Sequence, residues 1–307
     1  MTCGQTKPIR LPGYLQALLE KEVTAHLRAG GGGKVDFTQP PGKPALMDAD
    51  SVSWRVFKNP VALLVGGVTA VLMEFAEPRV RSGVWDHTSF RYDPLARMRR
   101  TGFAAMVTVY GARSVAEPMI AHIRRLHDRI HGKTPAGVSY RANEPELLRW
   151  VHATAAFGFM EAYHRFVQPL TPSERDRYYA ENAPVGRLYG ADRVPDSEAA
   201  LQEQFELMHP KLEPSEIVFE FLSLMKQTPI LPLPLRPAQG MLLRAAVEIV
   251  PPPILEVLDL GPKYRLRCSE EVVLRRMGAL SDRILIDSSP SVQSSVRLGL
   301  GKEYLYR

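Results

Sequence analysis

Apolar residues recur at helical spacing along most of this chain, and the alternation typical of strands is nearly absent. Signals for helix ends punctuate this pattern from about Asp48 onward. The apolar-periodic run Asn143–Gln168 stops before Pro169. The segment Thr171–Glu174 then supplies an N-cap threonine, a proline at the first helical position and a glutamate three residues after the cap. These signals predict an all-α fold, built as a helical bundle.

Other segments carry the same helical period. Ser114 and Glu117 have the spacing of a capping box before a run that we expect to continue to Gly132. The uncharged stretch Asn59–Met73 predicts a helix buried in the core. The remaining predicted helices are Tyr14–Arg28, Ser197–Met208, Pro214–Lys226, Ala238–Val250 and Ser269–Ile284.

Proline and glycine indicate how the chain is divided. The glycine run Gly30–Gly33 and the Pro/Gly-rich segment Gln39–Pro44 predict an arm followed by a linker. Further along, the prolines of Pro229–Pro237 mark a crossing between two helical portions. The predicted parts are an arm and linker at 1–47 and a single helical domain at 48–307, with a core at 48–228 and a C-terminal extension at 238–307.

The charge balance of the 307-residue chain is mildly basic, with 39 lysines and arginines against 33 aspartates and glutamates. The arginines are scattered among glutamates, and no basic cluster is interleaved with aromatic residues, as a base-stacking surface requires. We therefore predict no nucleic-acid partner. Because a guanidinium donates two parallel hydrogen bonds to a carboxylate, an acidic cofactor explains the abundance of arginine equally well.

The cysteines and the hydropathy of the sequence indicate the cellular compartment of the protein. Cys3 and Cys268 are the only cysteines, so neither a disulfide framework nor a cysteine zinc site can form, which suits a reducing compartment. The N-terminal region lacks the continuous apolar stretch of a signal peptide. As a helix, Asn59–Met73 rises about 22 Å, less than the roughly 30 Å of a bilayer core. We expect a cytoplasmic protein without a transmembrane segment, and shallow membrane contact stays open.

One short segment holds three of the eight histidines, namely His122, His127 and His131. On a helical wheel His127 falls on the apolar face beside aliphatic residues such as Leu126, Arg124 lies at the border of this face, and His122 is on the wet side. A neutral imidazole among aliphatic side chains with a cation beside it suits axial ligation of haem iron. A core histidine bonded to a backbone carbonyl is the alternative. The spacing of His127 and His131 also suits zinc or non-haem iron, although no glutamate follows the first histidine as in HExxH.

Two neighbouring elements add candidate site residues. His152 faces inward on an apolar helix, which suits either a cofactor pocket or a polar group that bridges two buried helices. Arg97 and Thr101 share one helical stripe, and Arg100 flanks it. Such a stripe suits either a flat, doubly anionic ring or a close helix crossing with a solvated arginine end.

Several enzyme motifs are missing from the sequence. There is no GxGxxG after a strand, no GxSxG elbow and no CxxCH that would attach haem covalently. Glu74 and Glu77 lie three residues apart just before Pro78, and this spacing suits either a surface polar patch or a buried general base.

Four segments occur in a distinctive order and spacing: Glu77–Val84, Asp93–Thr101, Arg124–Gly132 and Trp150–Thr154. Together they resemble the MpaB-type oxygenases, the group that includes the latex-clearing rubber oxygenases. The similarity runs from about Asp48 to Met208.

This resemblance implies an all-helical fold with a globin-like core around a non-covalent haem b. In characterised members the iron activates dioxygen for cleavage of isoprenoid double bonds. By motif, His127 is similar to the proximal iron ligand and Arg124 to its helix neighbour. Arg97 and Thr101 match the RxxxT pair near the haem. Arg100 stands where rubber oxygenases carry a lysine on the distal side.

The chain departs from the family pattern in two ways. Many relatives have a histidine where Glu77 stands, and the secretion signal of bacterial rubber oxygenases is missing, which argues against extracellular polyisoprene as substrate. We expect a haem b-dependent oxygenase that uses dioxygen on a small apolar substrate, isoprenoid or otherwise unsaturated. In this interpretation Arg100 and His152 line the distal side, and Glu77 acts as a base. The alternatives are a haem-binding sensor or carrier without turnover, and a non-haem metal protein that uses His127 and His131.

Overall fold

The computed structural model describes residues 7–32 and 35–306 and is predominantly helical, as the sequence predicts. Two three-residue strands, β1 (His131–Lys133) and β2 (Ser139–Arg141), pair antiparallel. The helices are α1 (Gly13–Leu27), α2 (Val52–Lys58), α3 (Pro60–Glu74), α4 (Pro78–His87), α5 (Pro94–Tyr110), α6 (Arg113–His127), α7 (Pro145–Phe166), α8 (Pro172–Tyr189), α9 (Glu198–Met208), α10 (Glu216–Gln227), α11 (Gln239–Glu248), α12 (Pro252–Val257), α13 (Cys268–Ser281) and α14 (Pro290–Arg297).

Helices α3 and α7 cross at close range in the centre of the fold. Gly66 and Gly158 meet at this crossing, where a Cβ on Gly158 would lie 2.5 Å from the Gly66 carbonyl oxygen. Glycine therefore lets the two backbones touch. Helices α11 and α13 pack on α3 as well, and the Thr69 hydroxyl donates to the Ala246 carbonyl oxygen at 2.9 Å. The predicted buried core helix is thus confirmed as α3.

Asn59 forms the corner between α2 and α3, which meet at a bend of 96°. Its Oδ1 accepts from the backbone amides of Val61 and Ala62 at 3.0 and 3.1 Å and so caps α3. Its Nδ2 donates to the Gly278 carbonyl oxygen at 3.0 Å, which ties the corner to α13. In the part of the chain that the structure describes, no single helix is both long and apolar enough to span a membrane.

The ends of α7 and α8 fall where the sequence signals place them. Helix α7 stops three residues before Pro169. At the start of α8, Thr171 Oγ1 accepts from the Glu174 amide at 3.3 Å and the Glu174 carboxylate accepts from the Thr171 amide at 2.9 Å. This arrangement is the predicted capping box, which is confirmed.

The helix that carries His127 differs from the prediction at both ends. Helix α6 already begins at Arg113, so the capping box predicted at Ser114 does not form. It ends at His127 rather than near Gly132, because the chain turns there into the β1–β2 hairpin, whose turn holds a proline and a glycine. His131 is therefore a strand residue and does not share a helical face with His127.

The N-terminal segment packs against the helices. After α1, a π-helical turn lies on α5, where a Cβ on Gly30 would be 2.8 Å from the Arg99 carbonyl oxygen. Phe37 is buried in the same hydrophobic core as the helices. Gly30 therefore allows a close backbone contact with α5. Gly33 and Cys3 lie outside the described residues.

Candidate functional site

His127 is the last residue of α6, and its imidazole is half-buried. Its Nδ1 is buried and has no hydrogen-bond partner among the described residues. Burial, the largest effect, and the Arg97 cation lower the pKa of His127, whereas Asn143 and Asp128 act in the opposite direction. The ring is therefore neutral at pH 7, and it lacks the backbone carbonyl partner that a purely structural buried histidine would have.

Most of the other described histidine side chains are hydrogen-bonded or exposed. His87 Nε2 is 3.1 Å from the Tyr140 hydroxyl, and His164 Nδ1 accepts from the Leu170 amide at 2.9 Å. Among the histidine side chains that the structure describes, the exposed ones are His87, His122, His131 and His209. Among the described residues, no group of three or more His, Cys, Asp or Glu side chains could hold a metal ion. The alternative that pairs His127 with His131 thus lacks the helical face that it needs.

Arg97 lies in the second turn of α5, beyond the N-cap Asp93. Its Nη1 donates to Thr101 Oγ1, and the Thr101 hydroxyl donates back to the Arg97 carbonyl oxygen at 3.0 Å. The stripe predicted for these two residues is therefore a direct contact that orients the guanidinium. Arg97 Nε is buried and has no partner among the described residues. Part of this cation is thus free to bind an anion.

Glu74 ends α3 and lies near Arg97. Burial raises the pKa of Glu74 to about 8, and the Arg97 charge only partly opposes this effect. The carboxyl is therefore protonated at pH 7 and does not neutralise Arg97. Burial also lowers the pKa of Arg97, yet a guanidinium stays charged at this pH. A desolvated cation without a counter-charge is costly, so this site favours an anionic ligand.

His152 faces inward on α7, as predicted, and lies against α8. A Cβ on Gly186 would be 3.0 Å from His152 Cδ2, so glycine makes room for the ring. Burial lowers the pKa of His152 to about 4, and the ring is neutral at pH 7.

Glu74, Arg97, His127 and His152 are half-buried side chains whose pKa shifts are dominated by burial. Tyr189 shows the same combination, and its hydroxyl lies 3.1 Å from a threonine hydroxyl of α5. These five side chains come from five different helices, namely α3, α5, α6, α7 and α8.

Glu77 has a different role from the one that the sequence suggested. Its side chain is 1% exposed, and its carboxylate accepts from the Val80 amide at 2.7 Å, which caps α4. The same carboxylate accepts from Arg79 Nε at 2.6 Å. These bonds hold the Glu77 carboxylate at the helix end, where it stabilises the start of α4.

Arg100 and Arg124 are exposed side chains at the edge of the candidate site. The Arg100 side chain is exposed, and its Nη2 donates to Ser89 Oγ at 2.7 Å. Arg124 is exposed on α6 and runs along the end of α8, where its Nε would be 3.4 Å from a Cβ on Gly190. Gly190 has a φ of +103°, a conformation that favours glycine, so the contact is built into the α8 C-cap.

Residues 54–283 match the family model described as "ER-bound oxygenase mpaB/B'/Rubber oxygenase, catalytic domain". The chain belongs to this family. Uncharacterized proteins of Mycobacterium bovis and Mycobacterium tuberculosis are each 26% identical to it over 176 residues, which cover 55% of this chain and 69% of each relative. No solved structure gives a significant match.

Membership in this MpaB/rubber oxygenase family indicates an oxidoreductase of the oxygenase type. The matched range contains Glu74, Arg97, His127, His152 and Tyr189. Sequence reasoning did not select Tyr189, and it named Glu74 only together with Glu77, as a surface polar patch or a buried general base. Glu74 carried a usable signal, because it is the first charge after the uncharged stretch that forms α3. Tyr189 gave none, since its position depends on how α8 packs against α5.

Proposed function

We propose that this protein is a haem b-dependent oxygenase that uses dioxygen on a small apolar, unsaturated substrate. One observation carries the proposal: the neutral imidazole of His127, whose buried Nδ1 has no partner among the described residues, lies near the uncompensated cation of Arg97. A neutral histidine is a common axial ligand of haem b iron, and cationic side chains pair with the haem propionates. When bound, the haem iron supplies the activation of dioxygen. A cytoplasmic location stays a prediction.

The chain's own residues fit such a group. His127 would hold the iron, and Thr101 keeps the Arg97 guanidinium oriented for a carboxylate. Arg97 and Arg100 lie near the N-terminus of α5, where the helix dipole also favours negative charge. Arg124, held along the α8 end, is placed to add a second cation. In this proposal the core is globin-like, because a flat cofactor lies between packed helices.

One face of α3 also suits an apolar substrate. Leu64, Gly67 and Val71 precede Glu74 on one stripe of α3, and all keep accessible surface although the residues between them are mostly buried. Glu74 ends this stripe with a protonated carboxyl, which can hold or release a proton next to apolar surface. His152 can orient a substrate through its neutral ring.

We expect Arg97→Met to weaken haem retention by about 10 to 100-fold, since a hydrogen bond to a charged group contributes roughly 1.5 to 3 kcal/mol. Transfer of haem to an excess of apomyoglobin measures the retention. Arg129→Met, which removes an exposed cation after α6, is the matched control. An equal loss in both variants would mean that only net charge matters.

Oxygen uptake tests the function itself. The ferrous, haem-loaded protein is expected to bind carbon monoxide and to consume oxygen when given a prenylated or polyunsaturated compound. His152→Phe is expected to lower the rate of oxygen uptake more than the haem content, because in this proposal the ring orients the substrate and does not bind the haem. Carbon monoxide binding without oxygen uptake across a broad panel of such compounds would favour the alternative of a haem-binding sensor or carrier.

A further inference from the structure

Asn143 lies between β2 and α7, next to the end of α6. Its Nδ2 donates to the Arg124 carbonyl oxygen at 2.9 Å and to Asp128 Oδ1 at 2.5 Å. A carbonyl oxygen and a carboxylate oxygen accept hydrogen bonds and do not donate them. These two contacts therefore fix which end of the amide is which, with the nitrogen toward Arg124 and Asp128 and the oxygen on the other side.

Asn143 Oδ1 is buried and has no hydrogen-bond partner among the described residues, and the same is true of His127 Nδ1. A buried polar atom without a partner is costly, so each of the two atoms calls for one. Asn143 is bonded to Arg124 and Asp128, the residues three positions before and one position after His127, so the two side chains lie at the same end of α6. They are an acceptor and a ring nitrogen that can carry a proton.

We infer that Asn143 is a positioning residue whose Oδ1 accepts the Nδ1 proton of His127 and so leaves the lone pair of the neutral ring on Nε2. The opposite tautomer would set a lone pair on Nδ1 against a lone pair on Oδ1. Asp128 and the Arg124 carbonyl act through Asn143 by preventing its amide from turning over. That Nε2 then binds iron rests on the proposed function, whereas the tautomer does not.

The tautomer can be measured in the wild-type apoprotein, without haem, by nitrogen NMR of isotope-labelled histidine. The signal of His127 is the one that disappears in His127→Ala. We expect the proton on Nδ1 and the lone pair on Nε2 at pH 7.5. A proton on Nε2 would overturn the inference, and this measurement needs no variant of Asn143 that could fail to fold.

Two single variants and one double variant test whether Asn143 sets the tautomer of His127. Asn143→Ala is expected to release the tautomer and to speed haem loss by about 10 to 100-fold, the usual cost of losing a partner of a metal-bound histidine. Asp128→Asn keeps an acceptor for the Asn143 amide and should match the wild type. The double variant Asn143→Asp with Asp128→Asn exchanges donor and acceptor and should restore the proton on Nδ1. An unchanged tautomer in Asn143→Ala would contradict the inference.

These measurements distinguish a failure of haem ligation by His127 from a failure of the positioning role of Asn143. If the apoprotein has the proton on Nδ1 and His127→Ala still keeps its haem, the positioning role of Asn143 holds and haem ligation by His127 is wrong. If His127→Ala loses its haem while the apoprotein carries the proton on Nε2, the ligation holds and the role of Asn143 is wrong.

Discussion

His127→Ala is expected to lose most of its haem while keeping the helix content of the wild type. The imidazole makes no hydrogen bond that the fold depends on, it lies at the last position of α6, and alanine favours a helix. Removing it therefore deletes a proposed metal ligand at little cost to the structure. The haem content per chain after reconstitution, read as the pyridine haemochrome, and the far-UV circular dichroism measure the two effects.

His122→Ala is the matched control, because it removes the same side chain from the same helix at an exposed position. We expect it to retain haem like the wild type. Equal haem occupancy in the wild type and both variants would mean that His127 is not the ligand.

The sequence was most informative where one regular helix carries several residues. His122 and His127 both lie in α6, and the wheel correctly separated the exposed histidine from the half-buried one. It failed for His131, because the pairing of β1 with β2 ends the helix early and such pairing leaves no trace in the helical period. It also failed for Leu126, which is 45% exposed because nothing covers the last turn of α6 on that side.

The two glutamates show what spacing alone cannot decide. Glu74 and Glu77 are three residues apart, but α3 ends at Glu74 and a new helix begins after Glu77. The sequence Glu77-Pro78 is typical of an N-cap followed by proline at the first helical position, so this signal was present. The proximity of Glu74 to Arg97 brings the end of α3 near the start of α5, and local sequence does not specify such a tertiary contact.

The role of Asn143 is a second feature that local sequence does not specify. The sequence predicts that it opens α7, whereas Glu144 is the N-cap of this helix. Its side chain is thereby free to bond the end of α6. A side chain that suits a helix cap can instead join two elements, and only the tertiary structure distinguishes these roles.

The stability of the apoprotein is expected to fall as the pH rises from 6.5 to 8, and Glu74→Gln should remove most of this fall. With a pKa of about 8, Glu74 holds its proton in the folded state, whereas an unfolded glutamate has already lost it above pH 4.5. The folded state then binds more protons than the unfolded state, so the free energy of unfolding decreases with pH. At 1.36 kcal/mol per pH unit, the decrease over this window is about 2 kcal/mol.

The comparison of the wild type with Glu74→Gln separates this effect from that of the histidines. Burial lowers the pKa values of His152 and His127, so both rings are neutral in the fold, whereas an unfolded histidine is still partly protonated near pH 6.5. This difference makes the stability rise slightly with pH, equally in both proteins, and the Arg97 guanidinium stays charged. Urea unfolding at several pH values measures the effect. Glu203→Gln, which removes an exposed carboxylate from α9, is the control and should follow the wild type. Equal pH profiles of the wild type and Glu74→Gln between pH 6.5 and 8 would mean that Glu74 is ionised in the fold. The Glu74 carboxylate would then neutralise Arg97, and the case for an anionic ligand beside Arg97 would fail.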